Sequence, residues 1–172
     1  MTSTSTLSGE RADLLESLTA HRQFLRYTVQ GLTDEQARQR STAGELTLGG
    51  LIEHVAGQES TWVDFILSGP GAMPTPVDEA GYAEWATEFR LLPGETLAGV
   101  LEKYEDVARR TDELVATVDL DAAHPLPAAP WFEPGARRSA RRVLVHIVAE
   151  TAQHAGHADI LRESLDGQKT MG

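Results

Sequence analysis

The sequence contains no cysteine, and this absence removes several classes of function at once. A thiol nucleophile, a disulfide scaffold and a Cys-rich zinc knuckle are all excluded. Any metal must therefore be held by His, Asp or Glu, and any sulfur chemistry must use a sulfur that a substrate brings. Positive charge is also scarce: 15 Lys and Arg stand against 26 Asp and Glu, a formal net charge of −11. Nucleic acid is therefore not an expected partner.

Long apolar runs are missing as well. No stretch approaches the roughly 18–20 residues needed to cross a bilayer. Residues 1–8 lack the basic and apolar regions of a signal peptide, so we expect a flexible tail, no membrane partner and a cytoplasmic protein. With 172 residues, of which 41% are hydrophobic, the chain can bury one good core, and we expect a single domain over residues 1–172.

Apolar residues recur at helical spacing in four long stretches. These stretches run over about 9–32, from 47 to 68, over about 95–118, and from near 139 to just before 167. Thr33 and Gln36 have the spacing of a capping box, which predicts a short extra helix after the first stretch. Thr47 is the expected N-cap of the second long helix, and the proline-rich segment 68–76 should end it.

No alternation typical of strands is present, so the predicted class is all-α, with the four helices forming an antiparallel four-helix bundle. Residues 77–94 are predicted as a long loop with a short helical turn at about 82–89, and loops of that length often have a function or contact a partner. A second connector, rich in proline, carries Trp131 and Phe132. These two rings could cover the mouth of a site or lie in a dimer interface.

The last helix carries Glu150 and His154 four residues apart, so both side chains leave the same face. Such a pair can bind one ion, provided that a third ligand comes from another helix. His54, on the apolar face of the second helix, is the best candidate. Two imidazoles and one carboxylate leave a coordination position open, as reactive metal sites do. This donor set suits zinc, nickel or ferrous iron.

A histidine on an apolar helix face is more often a core residue with a satisfied hydrogen bond. For Glu150 that interpretation is unfavourable, because no Lys or Arg lies within a turn on its stripe to compensate a buried carboxylate. His146 and His157 extend the stripe by one turn on either side. His157 is the candidate catalytic residue, as a proton carrier, a fourth ligand or a partner that orients His154. His146 has the same alternatives. Gln58 could orient the imidazole of His54, which lies one turn before it on the second helix.

Four arginines surround the start of the last helix, where they oppose the helix dipole. They occupy positions 137, 138, 141 and 142. Compensation of the chain's acidic surface is the simpler interpretation. The alternative is an anchor for an anionic thiol or carboxylate substrate, with Arg142 as the candidate cofactor-binding residue. Arg142 lies about 12 Å along the helix from Glu150, which suits the far end of a substrate.

Three segments of the chain resemble the DinB/YfiT-like metalloprotein superfamily. They are LTDEQAR at 32–38, TLGGLIEHVAGQE at 47–59 and ETAQHAGHADILRE at 150–163. The His…Glu-x-x-x-His pattern is similar to the branch of mycothiol-dependent maleylpyruvate isomerase. This resemblance implies an antiparallel four-helix bundle, frequent homodimers and a mononuclear metal site on His54, Glu150 and His154.

The resemblance also implies a divalent metal, zinc first among the candidates, that works on a low-molecular-weight thiol such as mycothiol or bacillithiol. A divalent cation bound to sulfur deprotonates a thiol at neutral pH. We therefore expect a thiol S-transferase or isomerase with a small-molecule substrate. Two alternatives use the same bundle: a metal-dependent hydrolase with His157 or Glu53 as the general base, and a non-enzymatic, stress-related metal-binding protein.

Overall fold

A computed structural model of the chain describes residues 7, 9–73, 79, 81, 87 and 89–170. Its helices are α1 (Glu10–Tyr27), the short α2 (Asp34–Arg38), α3 (Leu48–Ser68), α4 (Leu97–Thr117) and α5 (Ala140–Asp166). A 3-10 turn, Pro70–Ala72, follows α3, and two short strands, β1 (Ala123–Pro125) and β2 (Arg137–Ser139), precede α5. The predicted all-α class is confirmed. The expected flexible tail at 1–8 and the helical turn at 82–89 lie largely outside the described residues.

The helix caps follow the sequence closely. The hydroxyl of Thr33 accepts from the backbone N–H of Gln36 at 3.2 Å, and the Gln36 side chain accepts from the backbone N–H of Thr33 at 3.0 Å. Thr47 caps α3 by accepting from the N–H of Gly50 at 3.1 Å. Only α1 ends earlier than predicted, because residues 28–32 continue as turns with backbone hydrogen bonds between residues three apart.

The expectation that the chain has no strand is wrong at one place. β1 and β2 pair antiparallel, with Ala123 opposite Ser139 and His124 opposite Arg138. Three residues in each strand are too few to show the alternation by which strands are recognised. The ladder holds the proline-rich connector against the start of α5.

The four long helices form a bundle of two parallel pairs that run in opposite directions. The start of α5 lies beside the start of α1, where Arg141 contacts Glu10 at 2.5 Å. The first half of α4 lies beside the first half of α3, where Lys103 binds Glu53. Because α3 and α4 are parallel, the end of α3 and the start of α4 lie at opposite ends of the bundle, and a long connection between them is required.

Apolar side chains fill the bundle in two clusters, one around Leu51, Val55 and Tyr104 and the other around Trp62 and Ile147. Burial of this apolar surface is the main source of stability. Among the described residues, no helix has the length and apolar character to cross a membrane.

A buried ion pair lies within this apolar interior. Arg22 of α1 contacts Glu59 of α3 at 2.5 Å, and the two side chains are 6% and 1% exposed. Asp112 of α4 also binds Arg22, at 2.8 Å, and Thr111 donates to Glu59 at 2.5 Å. Burial alone would lower the pKa of Arg22, but the charges and hydrogen bonds of Glu59 and Asp112 together outweigh it and raise that pKa. The network connects three of the four long helices.

Candidate metal centre

His54 of α3 meets Glu150 and His154 of α5 in the interior of the bundle. One donor atom of each residue lies within 4.8 Å of the other two. The Oε1 atom of Glu150 is 3.5 Å from Nε2 of His54 and 3.2 Å from Nε2 of His154. The four-residue spacing on α5 aligns two of these side chains, and the antiparallel packing of α3 against α5 adds the third. The structure thus brings together all three residues that are predicted as ligands from the sequence.

The surroundings of the three side chains keep the carboxylate ionised. Both imidazoles are buried, whereas the side chain of Glu150 is 26% exposed. Hydrogen bonds with His154 first, and then with His54, hold the pKa of the Glu150 carboxyl well below its usual range. Within the described part of the chain, Glu150 has no Lys or Arg as an ion-pair partner.

This donor set fits a divalent metal. Four ligands arranged tetrahedrally about zinc at about 2.0–2.1 Å lie roughly 3.3–3.4 Å from one another, close to the two distances measured from Glu150. Two imidazole nitrogens and one carboxylate oxygen match the His₂Glu type of catalytic zinc site, in which a fourth position is left for water or substrate. Of the three side chains, that of Glu150 is the most exposed, so a small molecule would most readily approach the centre beside it.

Phe89, which the sequence analysis did not predict to be part of the site, covers His54. The ring centroids of Phe89 and His54 are 4.2 Å apart, and their planes are tilted by 33°. The Phe89 carbonyl accepts a hydrogen bond at 3.1 Å from the hydroxyl of Thr47, the N-cap of the same helix. The contact could not be read from the sequence, because Phe89 belongs to a connector whose path no local pattern specifies.

The two further histidines of α5 lie on opposite sides of the centre. The Nδ1 atom of His157 is 3.4 Å from Nδ1 of His154, on the side of that ring away from Glu150. The ring of His146 instead lies edge-on to Trp62, with centroids 4.9 Å apart. Burial, followed by the charge of Arg138, lowers the pKa of His146. Neither histidine belongs to the group of three converging donors.

Comparison with known proteins identifies the family of the chain. The family model described as mycothiol-S-transferase matches residues 13–167, a span that includes His54, Glu150 and His154. The chain belongs to the mycothiol-S-transferase family. The resemblance to DinB/YfiT-like proteins is thereby confirmed.

The fold has a counterpart among solved structures. A conserved protein from Enterococcus faecalis, known from a crystal structure, superposes with a TM-score of 0.71, and the match covers 94% of this chain and 100% of that one. The two sequences are 11% identical, so the likeness concerns the fold alone. No curated protein matches the chain.

In this member of the mycothiol-S-transferase family, the four arginines near the start of α5 have separate surroundings. Arg141 forms ion pairs with acidic residues, and Arg137 donates to a backbone carbonyl. Arg142, the predicted anchor, is exposed. The guanidinium of Arg138 lies over the ring of Trp62, with its Cζ 4.8 Å from the centroid. The run of arginines indicated positive charge here, but it did not indicate which of them faces the bundle.

Proposed function

We propose that the protein is a metal-dependent S-transferase that joins a low-molecular-weight thiol of the mycothiol type to a small electrophile. The observation that carries the proposal is the convergence of His54, Glu150 and His154 within 4.8 Å, in a chain that the mycothiol-S-transferase family model matches over residues 13–167. The absence of cysteine supports it, because no protein thiol competes with the substrate for the centre.

A divalent cation, zinc first among the candidates, would supply the positive charge that lowers the pKa of a thiol to below neutrality. His54 and His154 would hold it through Nε2, and Glu150 through Oε1. The ionised Glu150 partly neutralises the cation. Phe89 excludes water from one side of His54, while the partly exposed side of Glu150 admits a small molecule.

His157 would act on His154 through the contact between their Nδ1 atoms. When one of two touching nitrogens carries the hydrogen, the other must accept it. If Nδ1 of His154 donates to His157, then Nε2 of His154 has no hydrogen and presents its lone pair toward Glu150, as a ligand must. His157 is therefore proposed to fix the tautomer of His154.

A hydrolase would need a general base close to a bound water. Glu53, one of the two residues considered for that role, forms its ion pair with Lys103 of α4. His157 is then the one remaining candidate for the general base of a hydrolase, and this favours the transferase.

A homodimer is part of the proposal, supported by the exposed side chains of Val145 and Ile160 on α5. A cytoplasmic location is also part of it.

Metal content and thiol transfer, measured side by side, test the function. After removal of metal and reconstitution with zinc, wild type should retain about one equivalent, whereas His54→Ala, Glu150→Ala and His154→Ala should each bind at least about tenfold more weakly. His21→Ala is the matched control, because His21 lies within α1, where its ring contacts the carbonyl of Ser17 at 2.7 Å and the ring of Phe24, and it is not one of the three converging donors.

Zinc-loaded wild type should conjugate mycothiol to a chloronitrobenzene, and the three ligand variants should not. Cleavage of esters or amides without added thiol would replace the transferase by a hydrolase. Tight metal binding, without turnover of any thiol at millimolar concentration, would instead favour the non-enzymatic alternative.

A further inference from the structure

A positively charged region that contacts two aromatic rings adjoins the candidate metal centre. We call it the Arg138 cluster, and it consists of Arg138, Arg142, His146, Trp62 and Phe132. The Cζ atom of Arg138 lies 4.8 Å from the ring centroid of Trp62 and 5.4 Å from that of Phe132. Its Nη1 atom is buried and has no hydrogen-bond partner among the described residues. A buried donor of a charged group that lacks a partner is unfavourable, and an acceptor oxygen from a ligand would satisfy it.

The two arginines of the cluster also lack acidic partners. Neither Arg138 nor Arg142 forms an ion pair with any described residue, although Arg141, in the next turn, has two. Burial first, and then the charge of Arg142, lowers the pKa of Arg138. The chain has 26 acidic residues, so acidic groups are not in short supply. These two neighbouring positive charges, which have no acidic partner among the described residues, are therefore open to an anion from outside the chain.

The backbone holds Arg138 in place before any ligand binds. Arg138 pairs with His124 in the short ladder of β1 and β2. His124 in turn lies 3.2 Å from the carbonyl of Ile66 and packs edge-on against Phe65, both near the end of α3. The ladder thus fixes the guanidinium over Trp62, which belongs to the same helix. A preorganised arginine loses less conformational freedom when it binds an anion.

The cluster is continuous with the proposed metal centre. Arg142, His146, Glu150 and His154 follow one another at four-residue intervals on α5, so each lies about 6 Å further along one face. The charges of Arg138, Arg142 and Glu150 all act on His146. A small molecule whose reacting atom is near Glu150 would extend along this face toward the arginines, whose long side chains can cover part of the roughly 12 Å that separates Arg142 from Glu150 along the helix axis.

We propose that Arg138 and Arg142 bind the carboxylate of an electrophilic substrate whose flat ring lies against the partly buried Phe132, while the buried Trp62 supports Arg138 from below. The planar guanidinium matches a carboxylate in a two-point hydrogen bond, and an aromatic side chain suits an aromatic body. This proposal rests on the proposed S-transferase function, for which it names the class of electrophile: small aromatic carboxylates with a leaving group.

The reaction used as a probe is thiol substitution on 4-chloro-3,5-dinitrobenzoate. A sulfur–carbon bond forms, the carbon–chlorine bond breaks, chloride leaves with the electron pair and the thiol proton goes to solvent. The neutral 4-chloro-3,5-dinitrobenzamide reacts in the same way but has no charge for the arginines to bind. Wild type should show a KM for the benzoate at least about tenfold below that for the amide.

Substitution of the arginines should affect only the charged substrate. Arg138→Gln should raise KM for the benzoate by about 10–100-fold, as expected for loss of a charge-assisted hydrogen bond, and Arg142→Gln should raise it by a smaller factor. Both variants should leave the kinetic constants for the amide within about threefold. Arg109→Gln is the control, because Arg109 is exposed and pairs with Asp106 within α4. Equal losses with both substrates, or no loss with either, would overturn the proposal.

A binding measurement separates this proposal from the proposed function. Metal-free wild type is titrated with 3,5-dinitrobenzoate, which has no leaving group, and quenching of tryptophan fluorescence is followed. The benzoate should bind at least about tenfold more tightly than 3,5-dinitrobenzamide. Arg142→Gln should weaken binding of the benzoate only. Because the side chain of Arg142 is exposed, this variant should fold like wild type. If this preference is absent, the carboxylate subsite is wrong even if thiol transfer occurs. If it is present without any thiol transfer, the subsite stands and the S-transferase function fails.

Discussion

The backbone carbonyl oxygen of Phe89 lies 1.9 Å from the position that a Cβ atom at Gly50 would occupy. Only a glycine at this position of α3 lets the connector pack against the helix. The same approach puts the ring of Phe89 over His54, one helical turn further on. Gly50 therefore affects the candidate centre indirectly, because it allows the backbone at Phe89 to approach α3 and the Phe89 ring to cover His54.

Gly50→Ala should destabilise the protein and loosen this cover. The new methyl group must displace backbone rather than a side chain, so we expect a loss of about 1–3 kcal/mol or more in the free energy of unfolding, measured with urea. Gly57→Ala is the matched control, since it lies in the same helix and its Cβ would meet no atom within 4 Å. That variant should be neutral or more stable by up to about 1 kcal/mol. Equal stabilities of the two variants would contradict the close approach.

The parts of the structure that sequence alone predicts are those with local causes. The cap at Thr33 depends on residues three apart, and the pairing of Glu150 with His154 on residues four apart, so both are visible in the chain itself. His54 could be added because an apolar helix face must point inward in a bundle.

The parts that sequence did not predict depend on where connectors run. Phe89 reaches His54, and Arg138 of β2 reaches Trp62, only because the connections between the long helices fold back onto α3. The ion pair of Arg22 and Glu59 is a third example. Neither residue has a local pattern that identifies its partner 37 positions away.

Glu59→Ala should be among the most destabilising single substitutions in the bundle. It leaves Arg22 buried with only the more exposed Asp112 as partner, and removal of one member of a buried pair typically costs about 3–5 kcal/mol. Asp64→Ala breaks the Asp64–Arg110 pair, in which both side chains are over 40% exposed, and should cost less than about 1 kcal/mol. Chemical denaturation of both variants measures the difference. A loss below about 1 kcal/mol for Glu59→Ala would show that the buried pair has no net stabilising role.

Tyr104 should make stability depend on pH in the alkaline range. Its side chain is fully buried, and burial, followed by the charge of Glu59, raises its pKa well above the usual value of about 10. In the unfolded chain Tyr104 ionises from about pH 10, whereas in the folded protein it stays neutral. Its contribution is therefore complete below about pH 10 and is lost as pH rises toward the folded pKa.

Tyr104→Phe should remove that dependence. Above about pH 10, wild type should lose up to about 1.4 kcal/mol per pH unit relative to the variant. At pH 7 the variant should differ by no more than about 1 kcal/mol, because the hydroxyl makes at most a weak hydrogen bond, with Thr151. Tyr27→Phe, at a half-exposed position, is the control. Parallel pH profiles for wild type and Tyr104→Phe between pH 9 and 11 would refute the shift.

Zinc should stabilise the folded protein through the three converging ligands. A metal that binds only the folded state adds about 2.7 kcal/mol to the free energy of unfolding at a concentration one hundred times its dissociation constant. Thermal melting of metal-free wild type should therefore shift upward when zinc is added, and His154→Ala should abolish that shift. His124→Ala should lower the melting temperature without metal, because His124 packs on Phe65 and contacts the carbonyl of Ile66, yet it should keep the full zinc-induced increment. If His154→Ala kept the increment as well, zinc would be binding elsewhere, and the convergence of His54 and Glu150 on His154 would need another explanation, such as a hydrogen-bonded core cluster.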